Sequence, residues 1–136
     1  MKILVCGGAG FIGSAFIRNY LKNNPESKIT NLDSLTIGSN LKNLQEIEKN
    51  KNYQFVKDNI RNQKIVDDLT KDVDVIVNFA AESHVDRSIA NPKSFLDTNI
   101  LGTYSLLEAT KKHDNLFIHV STDEVYGDAE NEDSFT

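Results

Sequence analysis

The sequence predicts an α/β fold, a doubly wound parallel sheet of about five strands with helices on both faces. Two observations carry this prediction: short apolar runs alternate with amphipathic stretches along the chain, and a glycine-rich turn joins the first run to the first helix. Repeated strand–helix–strand units need crossover connections, which produce parallel sheets covered on both faces. The length of 136 residues suffices for one domain with a core of its own.

The first half of the chain supplies three strands. Pro25 falls in the linker after the first helix, and Ser39 and Asn40 have the side-chain oxygens that cap a helix. The predicted elements are, in order, a strand over residues 2–6, a helix over 11–22, a strand over 28–32, a helix from the 39–40 cap to about 49, and a strand over 53–56.

The second half supplies two more strands and the longest helix. Residues 73–77 are rich in β-branched side chains, Asn91-Pro92 is typical of a helix start, and the basic residues 111–113 suit a helix carboxyl end. The predicted elements are a helix over 63–69, a strand over 73–79, a long helix from 92 to about 113, and a buried strand over 116–120. One stripe of that long helix is apolar: Leu96, Ile100, Tyr104 and Leu107.

Composition and charge narrow the class of protein. The chain is 39% hydrophobic and 26% charged, values typical of soluble globular proteins. Its net charge is -5 and no basic stripe is present, so we expect no nucleic-acid partner. Apolar runs are only strand-sized, no signal peptide precedes residue 2, and Cys6 is the single cysteine. We therefore expect a cytoplasmic protein with no membrane segment and no metal site.

The turn at residues 7–13 reads Gly-Gly-Ala-Gly-Phe-Ile-Gly and lies between the first strand and the first helix. Glycines here permit a tight turn, close approach of the backbone to a pyrophosphate, and close packing of helix on strand, while the helix N-terminus donates N–H groups to the anion. Glycine-rich turns are common, but this one has the strand before it and the helix after it that a Rossmann-like dinucleotide site requires.

Asp33 follows the second strand, twenty residues beyond Gly13. An acid at this place binds the adenosine ribose hydroxyls of NAD and repels a 2′-phosphate. A solvated loop aspartate is the alternative interpretation. No arginine occurs in residues 34–38, so the sequence favours NAD over NADP.

A hydroxyl and two adjacent acids, Thr122, Asp123 and Glu124, follow the last predicted strand. Ligands of open α/β sheets bind at the carboxyl ends of strands, so these groups are candidates for proton transfer. Neighbours on an extended strand point to opposite faces, so the two acids can share a site only if the chain is already turning. Two solvent-facing loop acids are the alternative.

The segment Ser-Thr-Asp-Glu-Val-Tyr-Gly at residues 121–127 resembles the active-site motif of the dTDP-glucose 4,6-dehydratases, sugar-nucleotide enzymes of the extended short-chain dehydrogenase/reductase class. The segments at 7–14 and 80–88 are similar to that family too, and those at 98–103 and 106–109 match its long helix. The resemblance runs from residue 2 to residue 127.

The resemblance implies a set of contacts. Ser83 and Thr122 would also bind the sugar, and His84, Asp86 and Arg87 would form a charged network that is either structural or under the substrate. The adenine-contacting pair is usually Asp-Ile, whereas this chain has Asn59-Ile60. The implied NAD contacts are Gly7, Gly10, Phe11, Ile12, Gly13, Asp33, Ser34, Leu35, Thr36, Asn59, Ile60, Ala80, Ala81, Ser83 and Thr98.

The reaction that the resemblance implies uses NAD as a regenerated catalyst. Hydride leaves sugar C4, Glu124 removes the C5 proton, Asp123 protonates the departing C6 hydroxyl, and hydride returns to C6. Thr122 would hydrogen-bond the C4 oxygen. The product is the 4-keto-6-deoxy sugar.

The family also implies parts that we expect this chain to lack. A tyrosine, with a lysine four residues on, deprotonates the C4 hydroxyl from the helix after the fifth strand. Tyr104 and Tyr126 are each followed at that spacing by Glu, and we expect no Tyr-x-x-x-Lys in this chain. We therefore expect residues 1–136 to be the N-terminal part of an NAD-binding domain, without its sugar-nucleotide domain and without turnover alone. The full-length enzyme would be a homodimer packed partly through the long helix.

Two other functions compete with the dehydratase. A sugar-nucleotide epimerase or decarboxylase would keep the glycine turn but lack the paired acids Asp123 and Glu124. A non-catalytic NAD-binding module would agree with a missing tyrosine and lysine, but it would not need Thr122 and the two acids.

Overall fold

The computed structural model describes residues 1–127, with Asp123 and Glu124 described by their backbone alone. Five strands form one sheet in the order β3-β2-β1-β4-β5, and every neighbouring pair is parallel. The predicted fold class is confirmed. The strands are β1 (Lys2–Cys6), β2 (Lys28–Asp33), β3 (Tyr53–Lys57), β4 (Val75–Asn78) and β5 (Leu116–His119).

Helices cover both faces of this sheet. The α-helices are α1 (Phe11–Asn23), α2 (Gln63–Thr70), α3 (Val85–Ala90), α4 (Pro92–Phe95) and α5 (Thr103–His113), and π-helical turns over Leu96–Gly102 join α4 to α5. Side chains alternate along β1, so Ile3 and Val5 pack with Ile17 of α1, while Leu4 packs with Leu106 of α5 on the other face. The two cores hold the strand ends in fixed positions.

The structure differs from the predicted elements at several places. The segment after Asn40 is a 3₁₀ helix over Leu41–Ile47, although Asn40 caps it as expected by accepting a hydrogen bond from Lys42 N at 3.0 Å. The strand predicted over residues 73–79 is limited to β4. Helix α3 was not predicted, because its six residues are too few to establish a helical period.

The prediction that the last strand is buried was wrong. Within the described residues β5 pairs only with β4, so it forms an edge of the sheet. Leu116 is 59% exposed and Ile118 is 46% exposed. An apolar run indicates a strand, but its burial depends on neighbours that the run itself does not specify.

The helix start at Pro92 is confirmed, and so is the apolar stripe. Its four side chains are 46–58% exposed, which leaves an apolar face on the surface. Among the described residues, no helix has the length and apolar character needed to cross a membrane.

An ionic contact joins α2 to the end of α5. Lys112 Nζ lies 2.8 and 2.9 Å from the Asp67 carboxylate oxygens, and His113 Nε2 lies 2.8 Å from Oδ1. Hydrogen bonds from Lys112 and then His113 lower the pKa of Asp67 to about 2. The stabilisation is therefore complete above the unfolded-state pKa near 4 and is lost as the pH falls towards 2.

Replacing Asp67 with Asn is expected to lower the free energy of unfolding more at pH 5 than at pH 2.5. Urea denaturation of both proteins at the two pH values measures this difference. A second variant, Lys112→Ala, should raise the Asp67 pKa seen by side-chain NMR titration. A deficit in Asp67→Asn that is equal at both pH values would contradict the role given to this contact.

Candidate functional site

A cavity of about 450 Å³ opens at the carboxyl ends of the strands. This is where open α/β sheets bind ligands. Of the predicted site residues, Leu35 does not line the cavity, and Asp123 and Glu124 have no described side chains. Those that do line it are Gly7, Gly10, Phe11, Ile12, Gly13, Asp33, Ser34, Thr36, Asn59, Ile60, Ala80, Ala81, Ser83, Thr98 and Thr122.

The glycine turn lines this cavity with backbone atoms, because its glycines have no side chains. Gly7 has φ +75°, and a Cβ there would lie 2.6 Å from Ala80 N. A Cβ at Gly13 would overlap the carbonyl oxygen of Gly7. The first helical residues, Phe11 to Gly13, line the cavity where the N–H groups of a helix start have no partner within the helix. The turn therefore fits an anion such as a pyrophosphate.

Asp33 is a buried link between β2 and the glycine turn. Asp33 is only 5% exposed, so the interpretation as a solvated loop aspartate is wrong. Oδ2 accepts a hydrogen bond from Ala9 N at 2.9 Å, and Oδ1 accepts one from Leu35 N at 2.8 Å. Each carboxylate oxygen keeps a second lone pair for a ligand hydroxyl. Leu35 contributes through its backbone and takes the left-handed conformation, φ 55°.

The carbonyl group of Ala9 is held by two asparagines that were not among the predicted site residues. Its carbonyl oxygen accepts hydrogen bonds from Asn40 N at 2.9 Å and from Asn43 Nδ2 at 3.3 Å. Together with Asp33, these contacts fix the middle of the glycine turn from three directions. Asn40 was predicted only as a helix cap and Asn43 was not predicted to have a role, since nothing in a single sequence shows which loop they contact.

Asn78 connects the ends of β4 and β5. It is fully buried; its Oδ1 accepts a hydrogen bond from Ala80 N at 3.0 Å, and its Nδ2 lies 3.2 Å from His119 Nδ1. An N–H can only donate, so the oxygen of Asn78 faces Ala80 and the amide nitrogen faces His119. His119 Nδ1 is then the acceptor. Sequence reasoning missed this pair, although a polar residue closing an apolar run was a signal.

The loop after β4 is fastened to the π-helical turns. Glu82 N donates to Asn99 Oδ1 at 2.8 Å, and Asn99 Nδ2 donates to Glu82 O at 2.9 Å. This paired contact holds Ala81 and Ser83 beside Thr98 at the cavity. Among the described residues, Arg87 Nη1 lies 3.6 Å from Glu82 Oε2, and no ion pair joins Arg87 to His84 or Asp86. The role of these three residues at the substrate stays a prediction.

The chain does turn where the paired acids require it. A 3₁₀ turn spans Asp123–Tyr126, Val125 N donates to Thr122 O at 3.4 Å, and Gly127 has φ +76°. Thr122 lines the cavity. The side chains of Asp123 and Glu124 lie outside the described residues, so their roles as acid and base stay predictions.

The expectation that no Tyr-x-x-x-Lys spacing occurs was wrong, because Tyr53 and Lys57 have it. Both lie on β3, where residues four apart are separated by about 13 Å along the strand. The Tyr53 hydroxyl accepts a hydrogen bond from Asn31 Nδ2 at 3.0 Å, and burial raises the pKa of Tyr53. This pair therefore does not provide the low-pKa tyrosine of a helical Tyr-Lys pair.

Metal-ligand clusters and the thiol of Cys6 are the other groups to consider in the described part of the chain. No group of three or more His, Cys, Asp or Glu side chains there could hold a metal ion. Cys6 is fully buried, and burial raises the pKa of its thiol. A thiol so placed is a small core side chain.

Comparison with known proteins adds sequence and structural relatives. A dTDP-glucose 4,6-dehydratase of Streptomyces niveus is 50% identical over 132 residues, covering 93% of this chain and 39% of that protein. The low-salt glycan biosynthesis protein Agl12 of Haloferax volcanii is 50% identical over 129 residues, covering 94% of this chain and 41% of that protein. The chain spans about two-fifths of the length of these curated relatives.

A solved structure shares both the fold and much of the sequence. It is the dTDP-glucose 4,6-dehydratase DesIV of Streptomyces venezuelae with NAD and TYD bound; the TM-score is 0.91 at 43% identity, over 96% of this chain and 42% of that chain. The model of the GDP-mannose 4,6 dehydratase family matches residues 4–136. With the glycine turn, Asp33 and Thr122 brought to one cavity, the chain belongs to the GDP-mannose 4,6 dehydratase family.

Proposed function

We propose that this chain forms the NAD-binding part of a dTDP-glucose 4,6-dehydratase. The observation that carries the proposal is a single cavity that extends from the glycine turn and Asp33 to Thr122. It combines a place for a dinucleotide with the motif expected to act on a sugar. The relatives named dTDP-glucose 4,6-dehydratase, and the NAD-bound structure among them, support the same assignment.

Each part of the cavity has a role in holding NAD. The N–H groups at the start of α1 bind the pyrophosphate, and the bare glycine backbone lets the anion approach. Asp33 binds the adenosine ribose through its remaining lone pairs, and its negative charge disfavours a 2′-phosphate. Ala80, Ala81, Ser83 and Thr98 line the nicotinamide side.

Bound NAD supplies a reversible hydride acceptor for the sugar. Thr122 donates a hydrogen bond to the C4 oxygen and orients the ring. Glu124 takes the C5 proton once C4 is a ketone, and Asp123 gives a proton to the C6 hydroxyl, which leaves as water. The proton count balances, since one acid is protonated as the other is deprotonated.

We infer that this chain does not complete the reaction by itself. The C4 hydroxyl needs a base, and Tyr53 is unsuited to that task because burial raises its pKa and β3 places Lys57 far along the strand. The chain incubated with NAD and dTDP-glucose should bind NAD and give no 4-keto sugar. Formation of the ketone by the purified chain would overturn this inference.

The coding sequence beyond Thr136 provides a second test. A Tyr-x-x-x-Lys within a few dozen codons would support the dehydratase, and the longer protein should then release water from dTDP-glucose. A longer protein that inverts C4 without losing water would show an epimerase and overturn the assignment.

We propose self-association through the apolar stripe of the long helix. Its exposed Leu96, Ile100, Tyr104 and Leu107 form an unusual row of large side chains on a surface helix. The variant Ile100→Asp should shift the chain towards monomer in sedimentation velocity experiments, because it places a charge in the centre of the stripe. Lys22→Gln, on an exposed side chain of α1, changes the net charge by the same amount and is the control. Equal behaviour of both variants and the parent would contradict the proposal.

A further inference from the structure

The strand order locates the base of a bound dinucleotide. The glycine turn follows β1, Asp33 ends β2, and β3 lies on the far side of β2. A dinucleotide with its pyrophosphate at the turn and its ribose at Asp33 therefore extends its base towards the end of β3. The residues that follow β3 there and line the cavity are Asp58, Asn59 and Ile60.

The side-chain amide of Asn59 is held in one orientation by Arg61. Asn59 Oδ1 accepts hydrogen bonds from Arg61 N at 2.9 Å and from Arg61 Nε at 3.2 Å. A backbone N–H can only donate, so the atom facing it is the oxygen and not the amide nitrogen. Arg61 is itself fixed, because its Nη1 lies 3.0 Å from Asp97 Oδ2.

The two contacts use both lone pairs of the Asn59 oxygen. An asparagine usually reads adenine by accepting from the 6-amino group and donating to a ring nitrogen. Here the accepting atom is occupied, and the NH₂ group is the part of the amide left for a ligand. Asn59 thus offers donors to the base and no acceptor.

We propose that Asn59 determines base specificity by presenting its NH₂ group to the 6-position of the purine. Adenine has a donor at that position and hypoxanthine has an acceptor. The Asn59 amide therefore binds adenine less favourably than a carboxylate at the same position would. This inference rests on the proposed NAD site and goes beyond it in naming what sets the choice of base.

The test compares NAD with nicotinamide hypoxanthine dinucleotide by isothermal titration calorimetry. Asn59→Asp keeps an oxygen for Arg61 and replaces the NH₂ group with a second acceptor, so the fold is retained. The ratio of the two dissociation constants should shift in favour of NAD by about tenfold relative to the parent chain. A base whose polar group faces a non-complementary group in the site binds much more weakly than one that is paired. Contacts from other groups to the base cancel in this comparison of ratios.

Lys57→Gln is the matched control, since it changes the net charge by the same amount from an exposed side chain at the end of β3. It should leave the ratio of dissociation constants unchanged. Equal ratios in the parent and Asn59→Asp, with NAD still bound, would overturn the role of Asn59 alone. Failure of the folded parent chain to bind either dinucleotide would overturn the proposed NAD site and this inference with it.

Discussion

Replacing Gly7 with Ala is expected to destabilise the fold by roughly 2–4 kcal/mol and to lower NAD affinity at least 30-fold. The new Cβ would lie 2.6 Å from Ala80 N and 2.7 Å from Ala80 Cα, and both are backbone atoms that cannot rotate away. The φ of +75° adds strain for any residue with a side chain. The glycine turn and the loop after β4 must then move apart, which disturbs the floor and one wall of the cavity. Urea denaturation and calorimetric titration with NAD measure the two effects.

The variant Gly38→Ala measures the cost of a positive φ without the steric overlap that occurs at Gly7. Gly38 also has a positive φ, +93°, but nothing lies within 4 Å of the position that an added methyl group would take. We expect it to cost only about 1 kcal/mol, the penalty of the left-handed conformation. Equal losses of stability in the two variants would show that the contact between Gly7 and Ala80 is unimportant.

Asp33→Asn should weaken NAD binding at least tenfold and lower stability by about 1–3 kcal/mol. The carboxylate accepts hydrogen bonds from Ala9 N and Leu35 N with different oxygens. An amide has one oxygen, so its NH₂ group must face one of these N–H donors inside a buried site. Loss of the charge also removes the repulsion of a 2′-phosphate, so the preference for NAD over NADP should shrink. Titration with both dinucleotides measures the change.

Asp74→Asn is the control for this prediction. Asp74 Oδ2 accepts a hydrogen bond from Lys2 N at 2.7 Å, but at the opposite end of the sheet. It should affect stability slightly and NAD affinity not at all. An Asp33→Asn variant that kept full NAD affinity and the same preference over NADP would contradict the assignment of Asp33.

The parts of the site that depend on local pattern could be predicted from the sequence. The glycine turn needs a strand before it and a helix after it, and both are visible in the periodicity around residues 7–13. The distance from Gly13 to Asp33 then identified the acid at the end of β2. Parallel topology follows from the alternation of strands and helices. It was therefore also predictable that Asp33 and Thr122 lie together at the carboxyl ends of the strands.

The parts that depend on tertiary contacts could not be predicted. The pairing of Glu82 with Asn99 joins residues 17 apart through π-helical turns, a geometry that a helical apolar stripe does not reveal. The exposure of β5 depends on which strands lie beside it. Asn59 was recognised as a departure from the usual acid, but only the contacts with Arg61 show which way its amide faces.

The central claim, a dinucleotide site on the glycine turn, is tested most directly by following backbone amide shifts of the isotope-labelled chain during titration with NAD. We expect saturable shifts in residues 7–13, 33–36 and 80–83, and none at Asp67 and Lys112, which contact each other between α2 and α5. A folded chain whose amides do not respond to NAD, or respond only away from the cavity, would contradict the account.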